Sequence, residues 1–327
     1  MTMAATAKRR NRIYPPLLAL LLSAALAVIG GCRGETPPAE SGASAQPSAS
    51  PAAEQKYTFG IIYPMMHAFY ETITHSAEEA AAAAGVRLVV KAPGEANLEQ
   101  QIRMMETLIV QRVDGIAIDP IDADALAPLI DKAVGSGIPV ICFESDSPGS
   151  KRLAYVGGNN LEAGRKLGEQ LNERLKGKGM ILVETGMPRM HSLNERLEGL
   201  LAYLNESTDI QVLEVRYHEG NEARALQDLE EMLDAHPHFD AFVGLEAVSG
   251  SASILVWKAK GLSRYAFTIG LSPQHREGLR NGQLTAVLSQ QEEEWGRRIV
   301  ETLEAASQGR PLPSYADRGI EVFLSPN

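Results

Sequence analysis

Residues 114–143 read DGIAIDPIDADALAPLIDKAVGSGIPVICF. The stretch begins with a short apolar strand, Gly115–Ile118, which Asp119–Pro120 closes. Apolar residues at helical spacing follow over Ala123–Val134, and a second apolar run occupies Ile138–Phe143. A strand, a helix and another strand in this order predict a βαβ unit, in which the two strands lie parallel in one sheet.

The same alternation continues over residues 56–327. Further strands are predicted at Tyr57–Ile62, Arg87–Val90, Leu153–Val156, Met180–Val183, Gln211–Val215, Ala241–Leu245, Ala266–Ile269 and Thr285–Leu288. Further helices are predicted at Phe69–Ala84, Leu98–Arg112, Leu161–Leu175, Asn194–Asn205, Ala223–Ala235, Ser251–Lys260, Pro273–Asn281 and Glu292–Ser307. About a dozen apolar strands exceed the usual size of one open sheet. We therefore expect an α/β protein of two lobes, each with a parallel sheet covered by helices on both faces.

The first 55 residues have a different character. Four basic residues precede an apolar run, Leu17–Ile29, and two glycines lead from that run to Cys32. This order is typical of a secretory signal peptide. The segment resembles a bacterial lipobox, which implies that residues 1–31 are removed and that Cys32 carries a lipid. The alternative is an uncleaved anchor, but Ile13–Gly31 is barely long enough to span a membrane.

Apart from proline, residues 33–55 contain no apolar side chain larger than Ala. Such a composition cannot bury enough surface to fold, so we expect a disordered tether over residues 32–55. The sequence thus predicts a protein held by its lipid on the extracytoplasmic face of a bacterial cell membrane.

Composition excludes several function classes. The chain has 327 residues and a net charge of -10, and no basic patch stands out in the folded part, which argues against a nucleic-acid partner. The only cysteines are Cys32 and Cys142, so neither a disulfide scaffold nor a multi-cysteine zinc site is expected.

His236 and His238 have metal-like spacing but no nearby third ligand, and we expect no metal or cofactor. No Gly-x-Ser-x-Gly, phosphate-binding loop or His-Glu-x-x-His motif is present, and no catalytic residue is predicted.

Polar side chains follow many of the predicted strands. Because doubly wound sheets bind ligands beyond the carboxyl ends of their strands, these residues form a candidate site for a small polar ligand. They are Tyr63, His67, Phe69, Tyr70, Asp119, Asp122, Glu144, Ser145, Asp146, Glu184, Thr185, Glu246, Ser272, Ser289 and Gln290.

Nearly all of residues 56–327 resembles the periplasmic sugar-binding proteins of the ribose and galactose type. The segments that carry the resemblance are PMMHAFY (64–70), DGIAIDP (114–120), IPVI (138–141), SKRLAYVG (150–157) and NERLEGL (194–200). The resemblance implies the type I periplasmic binding fold, two Rossmann-like lobes hinged around a ligand cleft. It places the first lobe at 56–158 plus 291–318 and the second at 159–290 plus 319–327, with crossings near Gly158, Gln290 and Arg318. It also implies capture of a sugar for an ABC importer.

The resemblance assigns ligand contacts residue by residue. The implied set is His67, Phe69, Tyr70, Glu144, Ser145, Arg196, Glu246, Ser272 and Gln290. The aromatic pair would stack on the sugar, and Arg196 would donate hydrogen bonds from its planar fork. Glu144 and Ser145 replace the family's Asp-Arg, and Glu246 replaces an Asn. The second-lobe aromatic falls on Gly220 and is missing. A sugar, a sugar derivative, a polyol or a cationic ligand all remain open.

Other interpretations compete with this one. Phe69 and Tyr70 could pack in the core, Arg196 could form a surface ion pair, and Glu246 could lie on the rim. A regulator of the lac-repressor type would carry a helix-turn-helix before residue 56, where this chain has the lipobox and tether. The serious alternative is a lipoprotein that senses the same ligand class and signals to a membrane histidine kinase.

We expect Cys32→Ser to yield a protein that is released or left unprocessed, because the serine hydroxyl cannot accept the thioether-linked lipid. Membrane fractionation and the mass of the mature chain measure this. The matched control is Cys142→Ala, because that cysteine lies in an apolar predicted strand. A Cys32→Ser protein that is processed and retained like the wild type contradicts the assignment.

Overall fold

Eleven strands form two separate sheets in residues 56–313 and 319–326, the part of the chain that the computed structural model describes. Both sheets are mostly parallel, so the predicted α/β fold is confirmed. The predicted signal peptide, Cys32 and the tether up to Gln55 lie outside the described residues. Within them, no helix combines the length and apolar character needed to cross a membrane.

The first sheet has five parallel strands in the order β2-β1-β3-β4-β5. The strands are β1 (Tyr57–Ile62), β2 (Val86–Lys91), β3 (Gly115–Ile118), β4 (Val140–Phe143) and β5 (Ala154–Val156). The helices between them are α1 (Ala68–Ala84), α2 (Leu98–Val110) and α3 (Ala123–Gly135). Opposite faces of the sheet bury separate apolar clusters, one beneath α1 and the other beneath α2 and α3.

The second sheet has six strands in the order β11-β10-β9-β8-β6-β7, parallel except for β11. Its strands are β6 (Lys178–Thr185), β7 (Asp209–Tyr217), β8 (Ala241–Gly244), β9 (Tyr265–Ile269), β10 (Ala286–Ser289) and β11 (Glu321–Leu324). The remaining helices are α4 (Asn160–Leu175), α5 (His191–Ser207), α6 (Glu222–Ala235), α7 (Ala247–Lys260), α8 (Pro273–Arg280) and α9 (Trp295–Ser307).

The two sheets repeat one topology. In each, the first strand lies between the second and the third, and the fourth and fifth follow outward. The strand order therefore reverses beside β1 in one sheet and beside β6 in the other. Ligands of open α/β sheets bind outside the carboxyl ends of the strands at such a point. The fold thus places two candidate binding edges, one in each lobe.

The last helix returns to the first lobe. Trp295, Ile299 and Leu303 of α9 are buried in the same cluster as Phe59 of β1. Gly296 permits the contact, because a Cβ atom there would lie 2.0 Å from the carbonyl oxygen of Ile73 in α1. The chain therefore passes between the lobes after β5 and again after β10. The precise lobe boundaries stay a prediction, and the third crossing near Arg318 lies outside the described residues.

Several elements differ from the sequence prediction at their ends, and one strand was not predicted. Helix α7 begins at Ala247 rather than Ser251, because the Glu246 side chain caps it by accepting the N–H groups of Val248 and Ser249. Strand β11 was not predicted. It is short, half-exposed and antiparallel, so its sequence lacks the apolar run that marks the central strands.

Helices α4 and α5 cross at two glycines. A Cβ atom on Gly164 would lie 2.0 Å from the carbonyl oxygen of Arg196, and one on Gly199 would lie 2.0 Å from that of Leu161. Both obstacles are backbone atoms, which cannot rotate away as a side chain can. The crossing consequently fixes where α5, and with it Arg196, stands relative to α4.

We expect Gly199→Ala to lower the free energy of unfolding by about 1–3 kcal/mol, the usual cost of overpacking, because the new methyl group forces α4 and α5 apart. Thermal unfolding measures the loss. Gly135→Ala is the matched control, since a Cβ atom at the end of α3 meets open space. Wild-type melting of Gly199→Ala contradicts the close approach.

Candidate functional site

One cavity lies between the lobes and is lined by residues at the carboxyl edges of both sheets. Its volume is about 40 Å³, counted as positions that the centre of a water molecule can take. The first lobe contributes residues that follow β1 and β4, and the second contributes residues that follow β6, β7, β8 and β9. The lining residues are Met65, His67, Phe69, Tyr70, Glu144, Gly186, Met187, Met190, Leu193, Arg196, His218, Gly220, Glu246, Ala247, Val248, Ile269, Gly270 and Glu292.

Six of the nine residues predicted from the sequence line this cavity: His67, Phe69, Tyr70, Glu144, Arg196 and Glu246. The other three are buried beside it. Gln290 supports Arg196, and the Ser145 hydroxyl accepts the Ser192 N–H across the lobes at 3.2 Å. Ser272 caps α8 by accepting the His275 N–H at 3.2 Å.

Arg196 is the centre of a buried network. Its Nε donates to Asn160 Oδ1 at 2.9 Å, and Nη1 donates to the carbonyl oxygen of Leu245 at 3.2 Å. Its Nη2 donates to Glu144 Oε1 at 2.6 Å and to Gln290 Oε1 at 3.0 Å. A guanidinium has five N–H donors, so four of them already have protein acceptors and one of the Nη1 hydrogens is left.

Glu144 links the lobes from the first side. It follows β4 with φ of 56°, a left-handed conformation that carries a cost for a side chain with a Cβ atom. Its Oε1 accepts from Arg196, and its Oε2 accepts the Ser192 hydroxyl at 3.0 Å. Both donors belong to α5 of the second lobe. The carboxylate therefore forms an ion pair across the cleft in which both charged groups are nearly inaccessible to water.

A second carboxyl group lies behind Tyr70. The Tyr70 hydroxyl donates to Asp119 Oδ2 at 3.0 Å, and the Ser145 N–H donates to Asp119 Oδ1 at 3.3 Å. Burial first, and then the negative charge of Glu144, hold the pKa of Asp119 well above its ordinary value. This environment favours the neutral, protonated carboxyl and holds the Tyr70 ring at the cavity wall.

Glu246 is held by the start of α7. Its Oε2 accepts the Val248 N–H at 2.5 Å, and its Oε1 accepts the N–H and the hydroxyl of Ser249 at 2.8 and 2.6 Å. Oε1 also lies 2.9 Å from His218 Nε2. Burial raises the pKa of this carboxyl, whereas the interaction with His218 and the hydrogen bonds from Ser249 lower it below its ordinary value. Glu246 is therefore ionised.

His218 is neutral in this arrangement. Its Nδ1 accepts the Gly220 N–H at 3.1 Å, so the ring proton resides on Nε2 and is donated to Glu246. His67 repeats the pattern in the first lobe, where Nδ1 accepts the Phe69 N–H at 3.2 Å. Neither histidine supplies a positive charge to the cavity.

Glu184, at the end of β6, is buried near Glu246. The Ser249 hydroxyl donates to Glu246 rather than to Glu184, and neither Glu184 oxygen has a hydrogen-bond partner among the described residues. Burial, with a further contribution from the Glu246 charge, raises the pKa of Glu184 to about 9. Its carboxyl is therefore neutral at pH 7 and adds no charge to the site.

The aromatic pair packs against the core of the first lobe and also lines the cavity. Phe69 and Tyr70 meet edge to face at 5.2 Å between ring centroids, and Phe69 also contacts Trp295 of the core. Across the cleft, a Cβ atom on Gly270 would lie 3.1 Å from the Phe69 ring. The rings therefore join the core of the first lobe to the cavity wall.

Gly220 explains why the second-lobe aromatic is missing. Its φ is 75°, and a Cβ atom there would lie 2.3 Å from the Ala96 Cβ atom of the first lobe. A larger residue has neither the conformation nor the space. Nearby, Met65 packs across the cleft against Val248 and Ala252. The lobes consequently stand closed on one another at this edge.

Sequence reasoning missed three polar residues of the site, His218, Glu292 and Asn160, whereas the supporting Asp119 was among the predicted strand-end candidates. His218 follows β7, whose apolar pattern ends before the strand does, so the predicted strand stopped at Val215 instead of Tyr217. Glu292 follows Gln290 and accepts the Ser289 hydroxyl at 2.6 Å. Its position three residues after the end of β10 was the sequence feature that could have identified it as a site residue. Asn160 had no such signal, because it begins a helix.

The first of the two spaced histidines pairs with a carboxylate. His236 ends α6 and lies 3.0 Å from Glu214 Oε2. Among residues 56–313 and 319–326, no group of three or more His, Cys, Asp and Glu side chains is placed to hold a metal ion.

Comparison with known proteins identifies relatives of the whole domain. A family model described as a periplasmic binding protein domain matches residues 60–311. The ribose import binding protein of Bacillus subtilis (strain 168) is 21% identical over 297 residues, which cover 90% of this chain and 94% of that protein. The resemblance inferred from the sequence is confirmed.

Solved structures share the fold. A solute-binding protein of an ABC transporter from Burkholderia graminis C4D1M, in complex with D-arabinose, is 28% identical with a TM-score of 0.78. The match covers 83% of this chain and 96% of that one. The XylFII–LytSN complex contains a chain 21% identical with a TM-score of 0.77, covering 83% and 98% of the two chains.

We expect Arg196→Ala to lower stability by about 3–5 kcal/mol, because it leaves the Glu144 carboxylate buried without its cation. Replacing both charges, as in Arg196→Met with Glu144→Gln, should recover most of that loss. Denaturant unfolding of both variants measures the difference.

The matched control is Arg165→Ala, which breaks an exposed ion pair with Glu206 at 3.0 Å and should change stability by about 0–1 kcal/mol. Equal losses in the single and double variants contradict a buried ion pair.

Proposed function

The chain belongs to the periplasmic binding protein family, and from this we propose that it captures a sugar or sugar derivative between its lobes and delivers it to an ABC importer. The family acts outside the cytoplasm, and the matched relatives are binding proteins rather than enzymes. The Bacillus subtilis relative is a ribose importer component, and the Burkholderia protein holds D-arabinose.

One observation carries the proposal: a single cavity is closed by the carboxyl edges of both sheets, and a buried arginine spans the lobes at its base. Sheets of this topology bind ligands at that edge. A cavity between two lobes that can part suits the capture and release of a small ligand.

We assign the ligand contacts to the six predicted residues that line the cavity. The remaining Nη1 hydrogen of Arg196 and the Nε2 hydrogen of His67 serve as donors to hydroxyl oxygens. Glu144 and Glu246 serve as acceptors, and Phe69 and Tyr70 give the apolar surface on which a sugar face packs. Ser145, Ser272 and Gln290 act indirectly, by holding the lining residues in position.

Ligand exchange then requires the lobes to separate. We propose hinges near Gly158, Gln290 and Arg318, with the first lobe at 56–158 plus 291–318 and the second at 159–290 plus 319–327. Gly158 lies against the Gln290 side chain, since a Cβ atom there would be 2.5 Å from its Nε2. Two of the proposed crossings therefore lie side by side, which allows one bending movement.

We propose that a lipid on Cys32 and the tether over residues 32–55 keep this domain near its permease. The ordered basic, apolar and small-residue pattern before Cys32 supports this. A sensor that signals to a membrane kinase is the second candidate. The structural likeness to a chain of the XylFII–LytSN complex is the reason to retain the sensor as a candidate. At 21% identity, that likeness shows the fold alone.

A thermal-shift screen over pentoses, hexoses and polyols tests the proposed function, because a ligand that binds only the folded protein raises its melting temperature by mass action. At a ligand concentration one hundred times Kd, the stabilisation is about 2.7 kcal/mol. We expect at least one member to raise the melting temperature, and a screen in which none does so contradicts the proposal.

We expect Ala96→Leu to weaken binding of that sugar by about tenfold or more, because the larger side chain meets Gly220 and obstructs closure. Ala96 lies half-exposed in a loop, so the substitution leaves the core of each lobe intact. Glu95→Leu, at the exposed neighbouring position, is the control. Unchanged affinity in Ala96→Leu contradicts binding by closure.

A further inference from the structure

We infer that the ligand carries a protonated amine, as an amino sugar or amino polyol does, and that Glu246 receives this group beside the Phe69 ring. The inference rests on the proposed function and narrows its ligand class. Three independent properties of the cavity support it: its charge, its supply of hydrogen-bond donors and the nature of its apolar wall.

The charge of the cavity is unbalanced. Among the described residues that line the cavity, Arg196 is the only arginine, and the Glu144 carboxylate pairs with it at 2.6 Å. The two histidines of the wall are neutral, because the Nδ1 of each accepts a backbone N–H. Glu246, whose side chain is 15% exposed, is therefore a largely buried anion that only neutral donors stabilise. A cationic ligand removes this imbalance, whereas a neutral sugar leaves it.

Donors are scarce and acceptors are plentiful. Four of the five Arg196 donors and the Nε2 hydrogen of His218 are already used within the protein. Glu246 Oε2, in contrast, accepts a single hydrogen bond, from Val248. A carboxylate offers about four acceptor positions. An ammonium group has three donors and no acceptor, so it matches this wall better than a hydroxyl.

The apolar wall also suits a cation. The Phe69 ring and the Ala247 methyl group both approach Gly270, at 3.1 and 3.5 Å from the position of its missing Cβ atom. The ring consequently lies next to the start of α7, where Glu246 is the capping residue. An ammonium there contacts a carboxylate and an aromatic face together, an arrangement that attracts cations.

Matched ligand pairs test the inference by calorimetry on the wild-type protein: D-glucose with D-glucosamine, D-galactose with D-galactosamine, and sorbitol with 1-amino-1-deoxysorbitol. The N-acetyl forms of both amino sugars serve as neutral controls. We expect the amine to bind about tenfold or more tightly than its hydroxyl partner in at least one pair. N-acetylation should abolish that preference.

Glu246→Gln should reduce the preference to about threefold or less, while Glu222→Gln, a mostly exposed carboxylate near His67, should keep it. If Glu246→Gln fails to fold because the cap of α7 is weakened, the N-acetyl comparison alone decides. Neutral members that bind as tightly as their amines overturn the inference and leave the sugar-binding proposal standing. Binding by neither member of any pair, together with a negative sugar screen, contradicts both.

Discussion

The buried guanidinium of Arg196 is the interaction on which the closed structure depends. A charge that is withdrawn from water requires acceptors for its donors, and here they come from four different parts of the chain. Glu144 follows β4, Leu245 follows β8, Gln290 follows β10, and Asn160 begins α4. These acceptors surround Arg196 together only when the two lobes are closed. The close crossing of α4 and α5 at Gly164 and Gly199 gives Arg196 a fixed position from which to reach them.

The remaining carboxyl groups show how an acidic cavity can be stable. Asp119 and Glu184 are displaced toward their neutral forms by burial. Glu144 has a cation, and Glu246 has backbone N–H groups, a hydroxyl and a neutral imidazole. Glu292, which also lines the cavity, is likewise displaced toward its neutral form by burial. Among the described carboxyl groups of the site, Glu246 alone remains as a charge that the protein does not balance with another charge. The ligand chemistry follows from that difference, since the site stabilises negative charge with neutral donors and keeps acceptor positions open.

The sequence predicted the fold well because apolar strands and helices alternate without long interruptions, as in residues 114–143. It also brought Glu144 and Glu246 to one place, since residues after parallel strands meet at one edge, while the family resemblance added Arg196 of helix α5. It could not show that Glu246 accepts most of its hydrogen bonds from α7, because a helix-capping glutamate and a ligand-binding glutamate have the same sequence signature. Nor could it show that Ala96 fills the space beside Gly220, because that contact joins distant parts of the chain. Strand β11 could not be predicted, because a short edge strand lacks the apolar run of a central strand.

Closure of the lobes around the ligand is the central claim, and small-angle scattering tests it most directly. The protein without its signal segment should be measured alone and with a saturating concentration of the tightest ligand from the screens. The account predicts a smaller radius of gyration with ligand in the wild type, and a smaller change in Ala96→Leu. An unchanged radius in the wild type at saturation contradicts it.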